Sequence, residues 1–109
     1  MASAPKLLGQ VAPAVTTITT VYTVPGATAT HVTLISVANR SNTSSRFRLS
    51  ARPGASGLAT NHYLYYDIEV PGNDTFIGNI ALMLPAAAVV EVYADSANLT
   101  VILSGVEIT

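Results

Sequence analysis

His31 and His62 are the chain's two histidines, and neither has a second histidine or an acid at metal-ligand spacing. Asp67 and Glu69 lie two apart in Tyr63-Leu64-Tyr65-Tyr66-Asp67-Ile68-Glu69-Val70. In a strand they share one face, as a paired acid and base would, but a solvated or salt-bridged face explains them far better. Gly54-Ala55-Ser56-Gly57 lacks the Gly-x-Ser-x-Gly spacing of a nucleophile elbow. Pro53 to Gly57 lacks the Lys and following helix of a phosphate-binding loop. With no cysteine, thiolate chemistry, disulfides and Cys-based zinc sites are excluded. No enzyme, cofactor or metal centre is expected.

The remaining chemistry is that of recognition. Arg46, Arg48 and Arg52 alternate with Phe47, Leu49 and Ala51, so one strand face carries only positive charge. Asp67 and Glu69 give the next strand a negative face, with Tyr63 and Tyr65 expected on that same face. Arg46, Arg48, Arg52, Tyr63, Tyr65, Asp67 and Glu69 are therefore the candidate interface. Tyr22, Tyr63, Tyr65, Tyr66 and Tyr93 also raise the reading of a carbohydrate-binding module. Without Trp, and with acids continuing the face, interface anchors fit better. Nucleic-acid binding needs a basic field, and a net charge of −1 with a pI near 6.0 opposes it.

The ions are segregated along the chain. All five cations lie in residues 1–54 and all six anions in residues 55–109. They pair either within one subunit, as cross-strand contacts, or between subunits, where they would set register and direction.

The elements that position these residues read as β throughout. Val, Thr, Ile and Tyr abound, while Gly, Pro, Asn and Ser interrupt the chain about every ten residues. Strands are expected at roughly 7–12, 15–24, 29–38, 46–52, 63–70, 74–84, 87–94 and 99–108. Pro25-Gly26 and Pro71-Gly72-Asn73-Asp74 read as turns with Pro and Gly in the two central positions. The fold class expected is all-β: a small antiparallel β-sandwich of about eight strands, Ig-like or jelly-roll-like. Residues 1–6 are expected as an N-terminal arm and 7–109 as a single domain.

Alternation assigns the faces. Phe47, Leu49 and Ala51 point inward, as do Leu64, Tyr66, Ile68 and Val70, and Val90, Val92 and Ala94. Two strands read as apolar on both sides: Val32 and Leu34 oppose Ile35 and Val37, and Ile80, Leu82 and Leu84 oppose Ile77, Ala81 and Met83. A sandwich covers one face of each sheet, so a second apolar face calls for another chain.

Composition points the same way. Half the residues are hydrophobic and 10% are charged, against about 25% in an ordinary soluble domain. Mean hydropathy is +0.45. The longest apolar run, residues 80–90, is split by Pro85 and is too short for a spanning helix, so no membrane is expected. The N-terminal stretch reads as a poor signal peptide, its Leu7-Leu8 run being broken at Gly9 and Gln10. Asn-x-Ser/Thr at Asn39, Asn42, Asn73 and Asn98 therefore reads as coincidence.

The segments VYTVPGATATHVTLISVANRSN, FRLSARPGASGLATNHYLYYDIEVPGNDT and VVEVYADSANLTVILSGVEI resemble small virion proteins of tailed bacteriophages. The likeness lies in the "YTVP" start, the "NR" turn before "FR", the "HY-x-x-YD" strand, the "NDT" turn and the "VYA" hairpin, over about residues 8–108. It implies a β-sandwich particle component, made in the host bacterial cytoplasm and located in the virion. Its partners would be copies of itself and the major capsid or tail proteins. A capsid decoration or cement subunit is the leading expectation, and a tail, collar or baseplate accessory that attaches a fibre is the alternative.

Overall fold

A computed structural model describes residues 3–54 and 56–109; Met1 and Ala2 of the expected arm and Ala55 of the Gly54–Gly57 stretch lie outside them. Eight strands form: β1 (Ser3–Val11), β2 (Thr19–Thr23), β3 (Ala29–Asn39), β4 (Ser45–Arg52), β5 (Tyr63–Val70), β6 (Thr75–Leu84), β7 (Val89–Ala94) and β8 (Leu99–Ile108), with one short 3₁₀ turn at Thr60–His62. Residues 3–6, expected as an arm, begin β1 and pair with β8 from Ser3↔Ile108 onward.

The strands make two four-stranded antiparallel sheets, β1-β8-β3-β6 and β2-β7-β4-β5. The ladders include the nested pairs β1–β8, β2–β7, β3–β6 and β4–β5. That is the jelly-roll member of the two expected sandwich types. Its consequence for this chain is direct: the first half of the sequence lies strand by strand against the second half.

The core fills the space between the sheets. Val32, Ile35, Val37, Leu99, Val101 and Leu103 of the first sheet face Phe47, Leu49, Val70, Val90, Val92 and Ala94 of the second, all essentially inaccessible. Apart from Ala94, each such side chain contributes about 1.5–3 kcal/mol by leaving water. Phe47, Tyr65 and Phe76 form an aromatic triad that joins the sheets, with ring centroids 5.2–6.0 Å apart.

Bulges correct the expected faces. On β3 the register slips between Val32 and Leu34 against both neighbours. Exposed Thr33 is the extra residue against β8, while on the other side β6 sets both Ile80 and Ala81 opposite it. The alternation reverses there, so Val32 joins Ile35 and Val37 inside and Leu34 stands on the outer side. On β5, Phe47↔Ile68 is followed by Leu49↔Tyr65, leaving Tyr66 and Asp67 both opposite Arg48. Tyr65, not Tyr66, therefore turns inward, and Leu64 and Tyr66 are exposed. A strict period of two cannot survive an inserted residue.

The Pro-Gly turns also differ by one position. Among the described residues no glycine has positive φ; Ala27 (54°) and Asn73 (56°) take that role. Asp74 N–H donates to Pro71 C=O at 3.2 Å, so Pro71 opens the turn and Gly72 and Asn73 are its central residues. Asn tolerates the left-handed region better than most side chains.

Candidate interaction surface

The outer face of the β2-β7-β4-β5 sheet holds the expected charges and resolves how they pair. Arg48 Nε donates to Asp67 Oδ1 at 2.7 Å. Its guanidinium lies over the rings of Tyr66, at 4.2 Å, and Tyr93, at 4.7 Å. Each stacking of this kind contributes about 0.5–1 kcal/mol at an exposed site. The β5 bulge makes the clamp: Asp67 sits at φ 53°, and the two residues inserted opposite Arg48 supply its ring and its carboxylate. The Arg48 guanidinium holds the Asp67 carboxyl below the usual carboxylate range.

Arg52, four residues on, donates to Glu91 Oε1 on β7 at 3.0 Å and to the Ser56 carbonyl at 2.8 Å. Arg46 stands opposite Glu69 in the β4–β5 register, and its backbone N–H donates to Asp95 Oδ1. The third ion pair joins the ends of the chain: Lys6 Nζ lies 2.7 Å from Glu107 Oε1. Glu107 also accepts the hydroxyl of buried Tyr22, which bonds Thr30 Oγ1 in turn. Lys6, then Tyr22, hold the Glu107 carboxyl low, while burial first and Glu107 second push Tyr22 up to about 12.

Each ion pair thus links a cation of the first half to an anion of the second, on strands that the nested topology sets side by side. The segregation of charge along the sequence corresponds to pairing within one subunit at Lys6, Arg48 and Arg52.

Of the predicted interface residues, Arg46, Arg48, Arg52, Tyr63, Asp67 and Glu69 do gather on one outer face. Tyr65 does not, because it packs against Phe47 and Phe76. Tyr63 instead meets Tyr66 edge to face, centroids 5.0 Å apart. Tyr65 thus lies inside and Arg48 lies over one face of the exposed Tyr66 ring, so Tyr63 and Tyr65 do not project from one face together. Sequence reasoning counted Tyr66 and Tyr93 among the aromatics but gave neither a role with Arg48. It also missed the Lys6–Glu107–Tyr22 network, whose members no short-range pattern connects.

The opposite outer face, on β1-β8-β3-β6, is of another kind. Its cross-strand rows run Leu7–Ser104–Leu34–Asn79, Gln10–Ile102–Ser36–Ile77 and Pro5–Val106–His31–Met83. No Lys, Arg, Asp or Glu stands in these rows. Leu7, Ile77 and Met83 are 59%, 54% and 57% exposed. The expectation that Ile77, Ala81 and Met83 oppose Ile80, Leu82 and Leu84 matches the exposure along β6.

His62 Nδ1 accepts the Ala59 N–H at 2.9 Å and closes the 3₁₀ turn. His31 lies in an outer row between Val106 and Met83. Among the described residues no three His, Asp or Glu side chains converge as metal ligands, and no helix is long and apolar enough to cross a membrane. A cleft of about 300 Å³ opens beside the 3₁₀ turn, walled by Leu64, Leu82, Leu84, Pro85 and Ala88, with Arg52 and His62 at its polar side. Compared with known proteins, the chain matches no family model and no curated protein sequence.

Proposed function

We propose that this chain is a non-enzymatic structural subunit of a tailed-phage virion, a capsid decoration or cement protein that binds rather than reacts. The observation that carries the reading is the contrast between the two outer faces. One holds compensated charge and clamped aromatics, while the other presents exposed Leu7, Ile77 and Met83 in rows without a charged residue. Exposed apolar side chains on a face without charge suit an interaction site, and apolar contact of this kind is characteristic of obligate interfaces. The virion assignment itself rests on the sequence resemblance, and a jelly roll, which serves in viral capsids among other places, is compatible with it.

The pairing of Arg48 and Arg52 within the subunit shifts the weight between the two expected sources of assembly. Apolar area supplies the affinity, and Arg46, Arg40 and Glu69 are left to bias orientation. The partners are copies of this chain and major capsid or tail proteins.

Labelled protein added to heads and to isolated tails of the phage whose genome encodes the chain tests this. Saturable binding to heads, lost on Ile102→Lys in the middle of the uncharged face, is the expected result. Binding to tails alone would favour the tail, collar or baseplate alternative, and binding to neither would overturn the virion role.

A further inference from the structure

Every open sheet has two edges whose unpaired N–H and C=O groups invite another strand, and natural proteins blunt them. Three of the four edges here are blunted. β1 carries Pro5, which has no N–H, and a register slip between Leu7 and Gly9. β2 has five residues and a slip of its own, and β1 closes against it: a Cβ on Gly9 would stand 2.2 Å from the Val21 carbonyl oxygen. β5 slips twice and carries Asp67 at positive φ beside Glu69.

β6 is the exception. Thr75–Leu84 is an edge strand of ten residues without a charged residue or a proline. It pairs with β3 on one side, and among the described residues no backbone hydrogen bond outside that ladder reaches it. Its one irregularity lies opposite Thr33, leaving the run Thr75–Asn79 regular. Its outward side chains, Ile77, Asn79, Ala81 and Met83, are all exposed. At about 3.4 Å per residue the bare edge is roughly 30 Å long.

We infer that β6 pairs antiparallel with β6 of a second copy of this chain. The occupant follows from the edge itself. An uncharged strand is its own complement in antiparallel pairing, with no like charges brought face to face across a two-fold axis. Such an axis stands perpendicular to the sheet and keeps equivalent faces on the same side. The β1-β8-β3-β6 sheet then continues into its copy as eight strands, and the uncharged outer face doubles in area. The inference deepens the assembly reading above and rests on it, naming a second copy as the first partner and leaving the broad face for the particle.

The chain has no cysteine, so single cysteines report the pairing without ambiguity. Ile77→Cys, Asn79→Cys and Ala81→Cys, with Thr17→Cys as a loop control, are oxidised at micromolar concentration. The expected result is a disulfide dimer at one of the three β6 positions, or at two neighbouring ones, and none at Thr17. Light scattering of the parent chain gives a dimer mass, which Ile77→Lys and Ala81→Lys each halve while circular dichroism is unchanged. If the lysine variants keep the dimer mass and no β6 cysteine cross-links, edge pairing is wrong and the broader assembly reading stands. A parent chain that is monomeric and also fails to bind particles removes both.

Discussion

Arg48 Nε and Asp67 Oδ1 lie 2.7 Å apart on the surface of the second sheet, and a bulge brings them together. Asp67 meets Arg48 from a left-handed backbone conformation that Asp tolerates and β-branched residues avoid. Asp67→Asn should therefore keep the bulge and lose the charge, lowering the urea midpoint slightly. Asp67→Val should lower it clearly more, since it loses the charge and opposes the backbone.

Tyr65 and Tyr63 are near neighbours in sequence with opposite fates. Tyr65→Ala should cost about 3 kcal/mol or more in denaturant unfolding, in keeping with aromatic truncations in packed cores. Phe47→Ala, which empties the centre of the same triad, should cost about 3–5 kcal/mol. Tyr63→Ala should cost less than either. Equal losses at Tyr63 and Tyr65 would contradict the β5 register.

The Tyr22–Glu107–Lys6 network predicts losses of stability at both ends of the pH scale. Glu107 and Asp67 have depressed folded values, so their contribution is present above the ordinary carboxylate range and is lost as pH falls through the folded values. Tyr22, raised from 10.0 to about 12, acts in the opposite sense. Its contribution is complete below pH 10 and fades as pH climbs toward about 12, because the unfolded phenol ionises first. Glu107→Gln should flatten the acid limb in denaturation measured from pH 7 downward. Tyr22→Phe should flatten the alkaline limb and cost about 1–3 kcal/mol at neutral pH, since it leaves Thr30 and Glu107 without a buried partner.

Ala27 holds a φ of 54° in an exposed turn, a conformation that costs a residue with a Cβ about 1–2 kcal/mol. Ala27→Gly should raise the thermal midpoint by a few degrees, reduced by the extra freedom of glycine in the unfolded chain. A lower midpoint in calorimetry would contradict the turn geometry.

How far these features were legible in sequence depends on how local they are. The strands from 46–52, 63–70 and 99–108 are found almost to the residue, since alternation and Gly, Pro and Asn punctuation are short-range signals. The inward set Phe47, Leu49 and Ala51 holds because β4 keeps an unbroken ladder to β7. Tyr65 and Tyr66 exchange faces, and Val32 moves inside, because one inserted residue inverts a period of two and leaves no compositional mark. The segregation of cations and anions is plain in the sequence, but its meaning needed the nested topology, which places Lys6 beside Glu107 and Arg52 beside Glu91. The uncharged outer face was half visible: Ile77, Ala81 and Met83 stood out, whereas Leu7, Ile102 and Val106 join them only once β1 and β8 are neighbours.

Apolar surface, rather than ion pairing, is the proposed source of this chain's assembly. Light scattering across a concentration series at low salt and at about 1 M salt tests it most directly, because exposed charge pairs are screened at high ionic strength while apolar contacts are not. The expected result is a defined assembly whose mass is unchanged or greater in high salt. A monomer at every concentration, or an assembly that salt dissolves, would contradict it.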